Sequence, residues 1–388
     1  MSALRPLRSE YILPLAMFFG SFSWSFVYVS LPFHIQKIST LDEVSTLRWT
    51  GWILGISPLA TVVTAPWLGR IGGRRNPKTA FEIIQYLQGA AFFAMAMART
   101  LPEIFVSRLL VGLMGAASTF AFISAGRSDD PGEVRRQVAT MQSAMTVGGV
   151  IGPLCGAIAA ARLGFRWSFV AGGVVLLGCG ALVRWGVPSG EATAPRAVPA
   201  HARQWREVIL VSLLVLGGST QIFFLTSILP QVMAALGVVA EQTLEIGGII
   251  IFASGAAAAL GSLVAPRLAE VLPERRLVAA LFVGSSLSVA ALAVAPGVWS
   301  YGALRFLQVL FIAPVFPIVV ARIAQTAGGE AIGVINAARI GASFIGPVMA
   351  TSLLAAGSPV ALYVLLAAIG FACLPVSGMR AHVPAARR

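Results

Sequence analysis

Acidic side chains are scarce in this chain, and so is charge of any kind. Fifteen Asp and Glu stand against 28 Lys and Arg, yet charged residues make up only 11 % of the sequence and hydrophobic ones 57 %. With a mean hydropathy of +0.85, an ordinary water-soluble domain is excluded, because a surface so poor in charge would aggregate. Cysteine is nearly missing: Cys155, Cys179 and Cys373 are scattered through apolar runs, which excludes a disulfide framework and a metal-ligand spacing. No residues pair a nucleophile with a base. The stretch Gly69 to Arg75 has the glycines and cations of a phosphate loop but neither a preceding strand nor the lysine-serine ending. No loop is large enough to offer a basic surface with stacking aromatics, so the formal charge of +13 does not mark a nucleic-acid partner. The sequence predicts no metal, no cofactor and no enzymatic activity.

What the chain does have is apolar runs of around twenty residues, each long enough to cross a bilayer as a helix. They parse into twelve spans, at about 11–33, 49–68, 79–98, 102–125, 138–160, 165–184, 207–232, 245–266, 277–296, 300–321, 332–355 and 359–377. The first has no small-residue cleavage pattern behind it and reads as a retained span, not a signal peptide. Loops are short except at 187–206, where Pro188, Pro195, Pro199 and Gly190 mark a flexible linker. The expected fold is an all-α membrane protein with twelve transmembrane helices in two pseudo-symmetric six-helix bundles, 1–186 and 207–388, joined by that linker.

The two bundles share an internal repeat. Ala65 to Arg75 is echoed by Ala265 to Arg275, Leu31-Pro32 by Leu229-Pro230, Arg108 by Arg305, and Gly152-Pro153 by Gly346-Pro347, in order and at offsets of 194 to 200 residues. Such a series marks duplication of a unit nearly half the chain long. Cationic residues are unevenly placed between the spans. Twenty fall on the side that holds both termini and five on the other, which predicts cytoplasmic N- and C-termini and explains the basic charge through attraction to anionic headgroups of the lipid bilayer.

Polar residues inside the spans are the candidate functional groups. Arg108, Arg305 and Arg339 lie within spans 4, 10 and 11, where a charge should face the bundle interior or a wet cavity. Arg339 lies deeper from its span end than Arg108 does, and is the better placed of those two for a buried site. Span 1 alternates rings and hydroxyls through Ser23, Trp24 and Tyr28, and its repeat carries Gln221 and Phe224. A face of that composition suits a cavity for an amphiphilic solute, and these five residues with Arg305 and Arg339 form the expected substrate cavity. Glu82 and His34 are the titratable groups available near spans for proton transfer. Gly148, Gly152 and Gly156 recur every four residues, so they share one helix face open to close approach, and Pro153 weakens the same helix at a defined point.

These residues resemble the major facilitator superfamily, and within it the twelve-span drug:proton antiporter branch, over nearly the whole chain. Ala65, Gly69, Arg70, Gly72, Gly73 and Arg74 occupy the positions of the family's motif between spans 2 and 3, with Gly69 where an aspartate is expected. Gly148, Gly152, Pro153 and Gly156 match the exporter pattern of span 5. Arg108, Gly112 and Gly115 match the span 4 pattern, whose arginine is linked to proton transfer. Ser23 stands where many relatives carry an acid. The resemblance implies a monomeric carrier of the bacterial inner membrane that exports a small amphiphilic compound by alternating access, coupled to protons through the Glu82, His34 and Arg108 neighbourhood. Gly69, Arg70, Gly72 and Arg74 would then act with the span 5 glycines as the conformational gate. Two alternatives stay open: an importer or exchanger of an organic anion without protons, and a non-transporting scaffold or receptor.

Overall fold

The computed structural model describes residues 9–74, 76–115, 117–118, 120–121, 131–187, 202–324 and 329–377, and among these there is no strand. The first half holds α1 (Ser9–Tyr28), α2 (Leu31–Ile38), α3 (Glu43–Arg74), α4 (Pro77–Met97), α5 (Leu101–Leu113), α6 (Pro131–Leu163) and α7 (Phe165–Gly186). The second holds α8 (Ala202–Phe223), α9 (Leu225–Ala235), α10 (Thr243–Val271), α11 (Glu274–Leu292), α12 (Val298–Ile312), α13 (Val315–Ala324), α14 (Gly329–Ala355), α15 (Pro359–Ala372) and a last turn, α16 (Leu374–Ser377). Among the described residues, nine segments are long and apolar enough to cross a membrane. The other three expected spans fall on α5 and α15, which are shorter, and on α3, whose 32 residues are diluted by Ser, Thr, Gly and Arg. The linker boundary differs from the sequence expectation. Helix α8 starts at Ala202, because Ala202 to Glu207 contains no proline or glycine to break it; residues 188–201 lie outside the described ones.

Large apolar side chains cover the outside: Val63, Leu263, Trp185 and Trp299 are 65–82 % exposed. In water this surface would be an aggregation site, whereas in a bilayer it is the matching one. The chain is a multi-pass membrane protein.

Two of the helix breaks follow from proline. Pro32 has no N–H and its ring would clash with the Tyr28 carbonyl four residues back, and α1 ends at Tyr28. Ser30 Oγ donates to the Val27 carbonyl at 3.1 Å, which satisfies an acceptor freed there. The chain also breaks between α8 and α9, where Ser227 Oγ donates to the Phe224 carbonyl at 2.8 Å, although the corresponding proline, Pro230, lies inside α9. Helix α12 ends just before Pro314 and resumes as α13.

Within the first half α1 is packed against α6 and α7, and α4 against α7; within the second, α8 against α14 and α11 against α12 and α15. The two most extensive helix pairs between the halves are α3 with α14 and α6 with α10, and α9 also touches α2 and α3. The first two are the same pair exchanged by the repeat, spans 2 and 11 against spans 5 and 8. At the α2/α9 end one apolar core bridges both halves, joining Val29, Leu47, Ala157 and Ala160 to Phe224, Leu229, Leu244 and Tyr301. At the opposite end the cores around Phe81 and Phe282 each stay within one half among the described residues.

Candidate functional site

A cavity of about 450 Å³ lies between the halves, and both repeat-related arginines, Arg108 and Arg305, line it. Trp24 and Tyr28 of α1, Gln85 and Gln88 of α4, Thr226 of α9 and Ser254 of α10 add polar atoms; Met17, Met145, Ile251 and Ile340 supply apolar wall. None of the described lining residues is Asp, Glu or His. Arg108 and Arg305 are each 1 % exposed, and neither meets a carboxylate among the described residues.

The two arginines are held differently. Arg305 projects from α12 to the broken end of α8. It donates from Nη1 to the Gln221 carbonyl at 2.8 Å, from Nη2 to the Ile222 carbonyl and from Nη1 to Gln308 Oε1. Those carbonyls belong to the last turn of α8, which has no helical donors of its own and carries the negative end of the helix dipole. The guanidinium also lies 5.0 Å from the centroid of the Phe224 ring. Arg108 projects from α5, and among the described residues its side chain makes one hydrogen bond, from Nε to the Ile53 carbonyl of α3 at 3.5 Å, a long contact. The Trp24 and Tyr28 rings lie 5.9 and 6.0 Å from its guanidinium carbon. Helices α5 and α3 meet closely here because Gly112 has no Cβ to strike the Ser57 backbone, and Ser57 Oγ donates to the Arg108 carbonyl.

The remaining expected cavity residues divide. Trp24 Nε1 donates to Gln88 Oε1 at 3.3 Å, and Gln88 Nε2 donates to the Met114 carbonyl at 2.6 Å, at the broken end of α5. Ser23 is fully buried beside the cavity with no hydrogen-bond partner. Gln221 and Phe224 are buried behind Arg305 and do not line the cavity. The Gln221 side chain accepts from Ser285 Oγ at 2.6 Å and donates to the Leu366 carbonyl at 2.8 Å, knitting α8, α11 and α15 together. Arg339 is off the lining, although Ile340 and Ser343 are on it. Its Nε donates to Asn336 Oδ1 at 3.2 Å and its guanidinium lies 5.1 Å from the Phe316 ring, because its helix position points toward α13.

Glu82, His34 and Arg108 are not brought together. Glu82 sits in the first turns of α4, 3.9 Å from Lys78 Nζ. His34 is 4 % exposed near the bridged end, between the Phe165 and Phe169 rings at 5.2 Å each, with neither ring nitrogen hydrogen-bonded. The glycine face of α6 packs on α1, within its own half: a Cβ at Gly152 would lie 2.7 Å from the Phe22 carbonyl oxygen, and one at Gly156 would overlap the Phe26 carbonyl. Pro153 faces the cavity. Gly69, Arg70, Gly72 and Arg74 continue α3 to its end; their side chains, and all of Arg75, lie outside what is described. Sequence reasoning missed Gln88, Thr226 and Ser254. The signal for Gln88 was present, since an amide in the middle of an apolar span has to find partners inside the bundle.

Two repeated helical halves, with segments long and apolar enough to cross a membrane, enclose one cavity between them. The profile of the Major Facilitator Superfamily matches residues 13–244, and the chain belongs to that family. It is 28 % identical over 187 residues to the uncharacterized MFS-type transporter YuxJ of Bacillus subtilis, a match that covers 47 % of each chain. It is 30 % identical over 165 residues to the staphyloferrin B transporter of Staphylococcus aureus, covering 41 % of this chain and 38 % of that one. These two matches thus span less than half of either relative. The multidrug resistance protein MdtG of Serratia proteamaculans is 25 % identical over 323 residues, 77 % of this chain and 75 % of its own. Among solved structures, the nucleoside transporter NupG superposes with a TM-score of 0.75 at 12 % identity, over 96 % of this chain and 99 % of that one. The human organic anion transporter MFSD10 does so with a TM-score of 0.71 at 13 % identity, over 95 % and 98 %. At such identities the likeness is one of fold.

Proposed function

We propose that this transporter exports a small amphiphilic compound through the cavity between residues 1–186 and 207–388, which rock against each other in alternating access as a monomer in a bacterial inner membrane. The observation that carries the reading is the cavity itself, walled by rings, hydroxyls and apolar side chains, and sealed at the α2/α9 end by a core that bridges the halves. With both termini cytoplasmic, as the uneven charge favours, the seal faces outward and the cavity loads from inside. The multidrug resistance relatives support the outward direction. Proton coupling in this reading runs through groups outside the cavity, His34 beside the seal and Glu82 toward the other end, since none of the described lining residues is Asp, Glu or His.

Saturable uptake of an amphiphilic solute into inverted vesicles, accelerated by an inward-acid gradient, is the expected result. Flux indifferent to a gradient of about two pH units, more than enough to titrate a histidine or a carboxylate, removes the proton. The orientation is tested by Ser189→Cys, which should react with an impermeant thiol reagent in inverted vesicles and stay unlabelled in intact cells. A second reading, proton-independent exchange of an organic anion, is favoured by the same lack of acids around two cavity arginines.

A further inference from the structure

Resting on the reading of the cavity as the solute path, we propose that Arg108 is the docking point for an anionic head group. The transported solute is then an amphiphilic organic anion, its charge on Arg108 and its apolar body against Met17, Met145 and Ile251.

Charge leads to this assignment first. Two guanidiniums, each 1 % exposed, line a cavity whose described walls carry no carboxylate. A cation in so dry a place costs several kcal/mol unless an anion or a set of acceptors compensates it, with even lenient insertion scales giving about 3 kcal/mol for an arginine at mid-membrane. Arg305 has its compensation from the chain: two carbonyls at the end of α8, the Gln308 amide oxygen and the face of Phe224. Arg108 has one long hydrogen bond, through Nε, and two rings. Its two terminal nitrogens have no hydrogen-bond acceptor among the described residues. They form the edge of the guanidinium that takes a planar carboxylate with two parallel hydrogen bonds.

The surroundings of Arg108 are built to complete such a contact. The Tyr28 hydroxyl is buried and makes no hydrogen bond, although its ring lies against the guanidinium; it can donate to the same anion. Gln85, 2 % exposed and on the cavity wall, keeps an unpartnered Oε1 that can accept from a hydroxyl or N–H of the solute. Trp24, one turn before Tyr28 on the same face of α1 and pinned by Gln88, adds a second ring beside the guanidinium. A cavity of about 450 Å³ lies within the range that accepts a drug-sized molecule. The polar cluster at Arg108 and the apolar wall of Met17, Met145 and Ile251 match a molecule with one charged end.

Three probes with one apolar body separate the outcomes: 2-naphthylacetate, its primary amide and 2-naphthylethylamine. Binding is measured by calorimetry on the protein in lipid nanodiscs, and flux of the same three in proteoliposomes. The acetate should bind about ten-fold tighter than the amide, as a charge-assisted contact does relative to a neutral one, and the amine weakest. Arg108→Gln should remove that preference and leave the amide within roughly three-fold; Arg108→Lys should recover part of it. Tyr28→Phe, which keeps the ring on the guanidinium, should lower acetate affinity roughly three- to ten-fold and serves where Arg108 variants do not fold. Equal binding of acetate and amide, tighter binding of the amine, or an equal loss for both acetate and amide in Arg108→Gln overturns the proposal. Saturable flux of the amide without a preference for acetate leaves the transport reading standing while removing the anion site; no saturable flux of any probe removes the transport reading itself.

Discussion

Arg108 and Arg305 occupy matching places in two copies of one ancestral unit, both reach the same cavity, and their surroundings have diverged. In the second half the guanidinium closes the broken end of α8 and belongs to the scaffold. Both breaks carry a local hydroxyl, Ser30 on the Val27 carbonyl and Ser227 on the Phe224 carbonyl; in the first half Arg108 donates instead to the Ile53 carbonyl of α3 and faces the cavity with aromatic rings for neighbours. The packing seams differ in the same sense. Gly152 and Gly156 bring α6 backbone-to-backbone onto α1, while a Cβ added at Gly346, the counterpart of Gly152, would still lie 3.2 Å or more from the backbone of Phe223, Phe224 and Thr220. One half binds its α-helices more tightly and leaves its arginine open; the other does the reverse.

Substitutions can break this contrast. The largest effect is expected from Gly156→Leu, whose side chain would have to displace the Phe26 carbonyl of α1; a loss of ~3 kcal/mol and loss of flux should follow, whereas Gly346→Leu in the looser seam should lose less. Thermal unfolding of both in one detergent checks this, and equal losses would erase the difference between the seams. Next comes Arg305→Leu, which strands the Gln221 and Ile222 carbonyls: ~2 kcal/mol is expected, against under ~1 kcal/mol for Arg108→Leu in the same assay. If Arg108→Leu proves the more destabilising, the division into scaffold and open arginine is reversed. Gln88→Leu releases Trp24 and the Met114 carbonyl; ~1 kcal/mol is expected, together with a weakened Trp24 contact visible as a change in fluorescence absent from a Trp24→Phe background. The smallest effect belongs to Glu82→Gln. Its partner Lys78 keeps a 2.8 Å hydrogen bond to the Arg184 carbonyl, so under ~0.5 kcal/mol is expected. A large loss of gradient-driven transport at unchanged stability would then mark Glu82 as a proton carrier.

Much of the architecture was legible in the residues. Apolar runs determine that the chain lives in a membrane, because transfer into lipid adds up residue by residue and needs no knowledge of neighbours. Repeated Leu-Pro, Arg and Gly-Pro pairs disclosed the duplication for the same local reason, whereas the breaks after α1 and α12 fall inside the expected spans 11–33 and 300–321 and were not read from Pro32 or Pro314. The linker boundary was less legible, since proline and glycine marked its middle and the helix-forming run from Ala202 had no signal against it. The site was legible only in its composition. That Trp24, Tyr28, Arg108 and Arg305 meet at one cavity, that Gln221 and Phe224 stand behind it and that Arg339 turns to Phe316 depend on how helices far apart in the chain are rotated against one another.

By itself, then, the sequence determined a duplicated helical membrane carrier with cations inside its spans and few acids to meet them. Which cation belongs to the scaffold and which faces the solute was decided by the tertiary structure alone. The acceptors that occupy Arg305 lie 83 and 84 residues away in the chain, and a guanidinium's partners are set by which carbonyls a helix break happens to leave within about 3 Å of it.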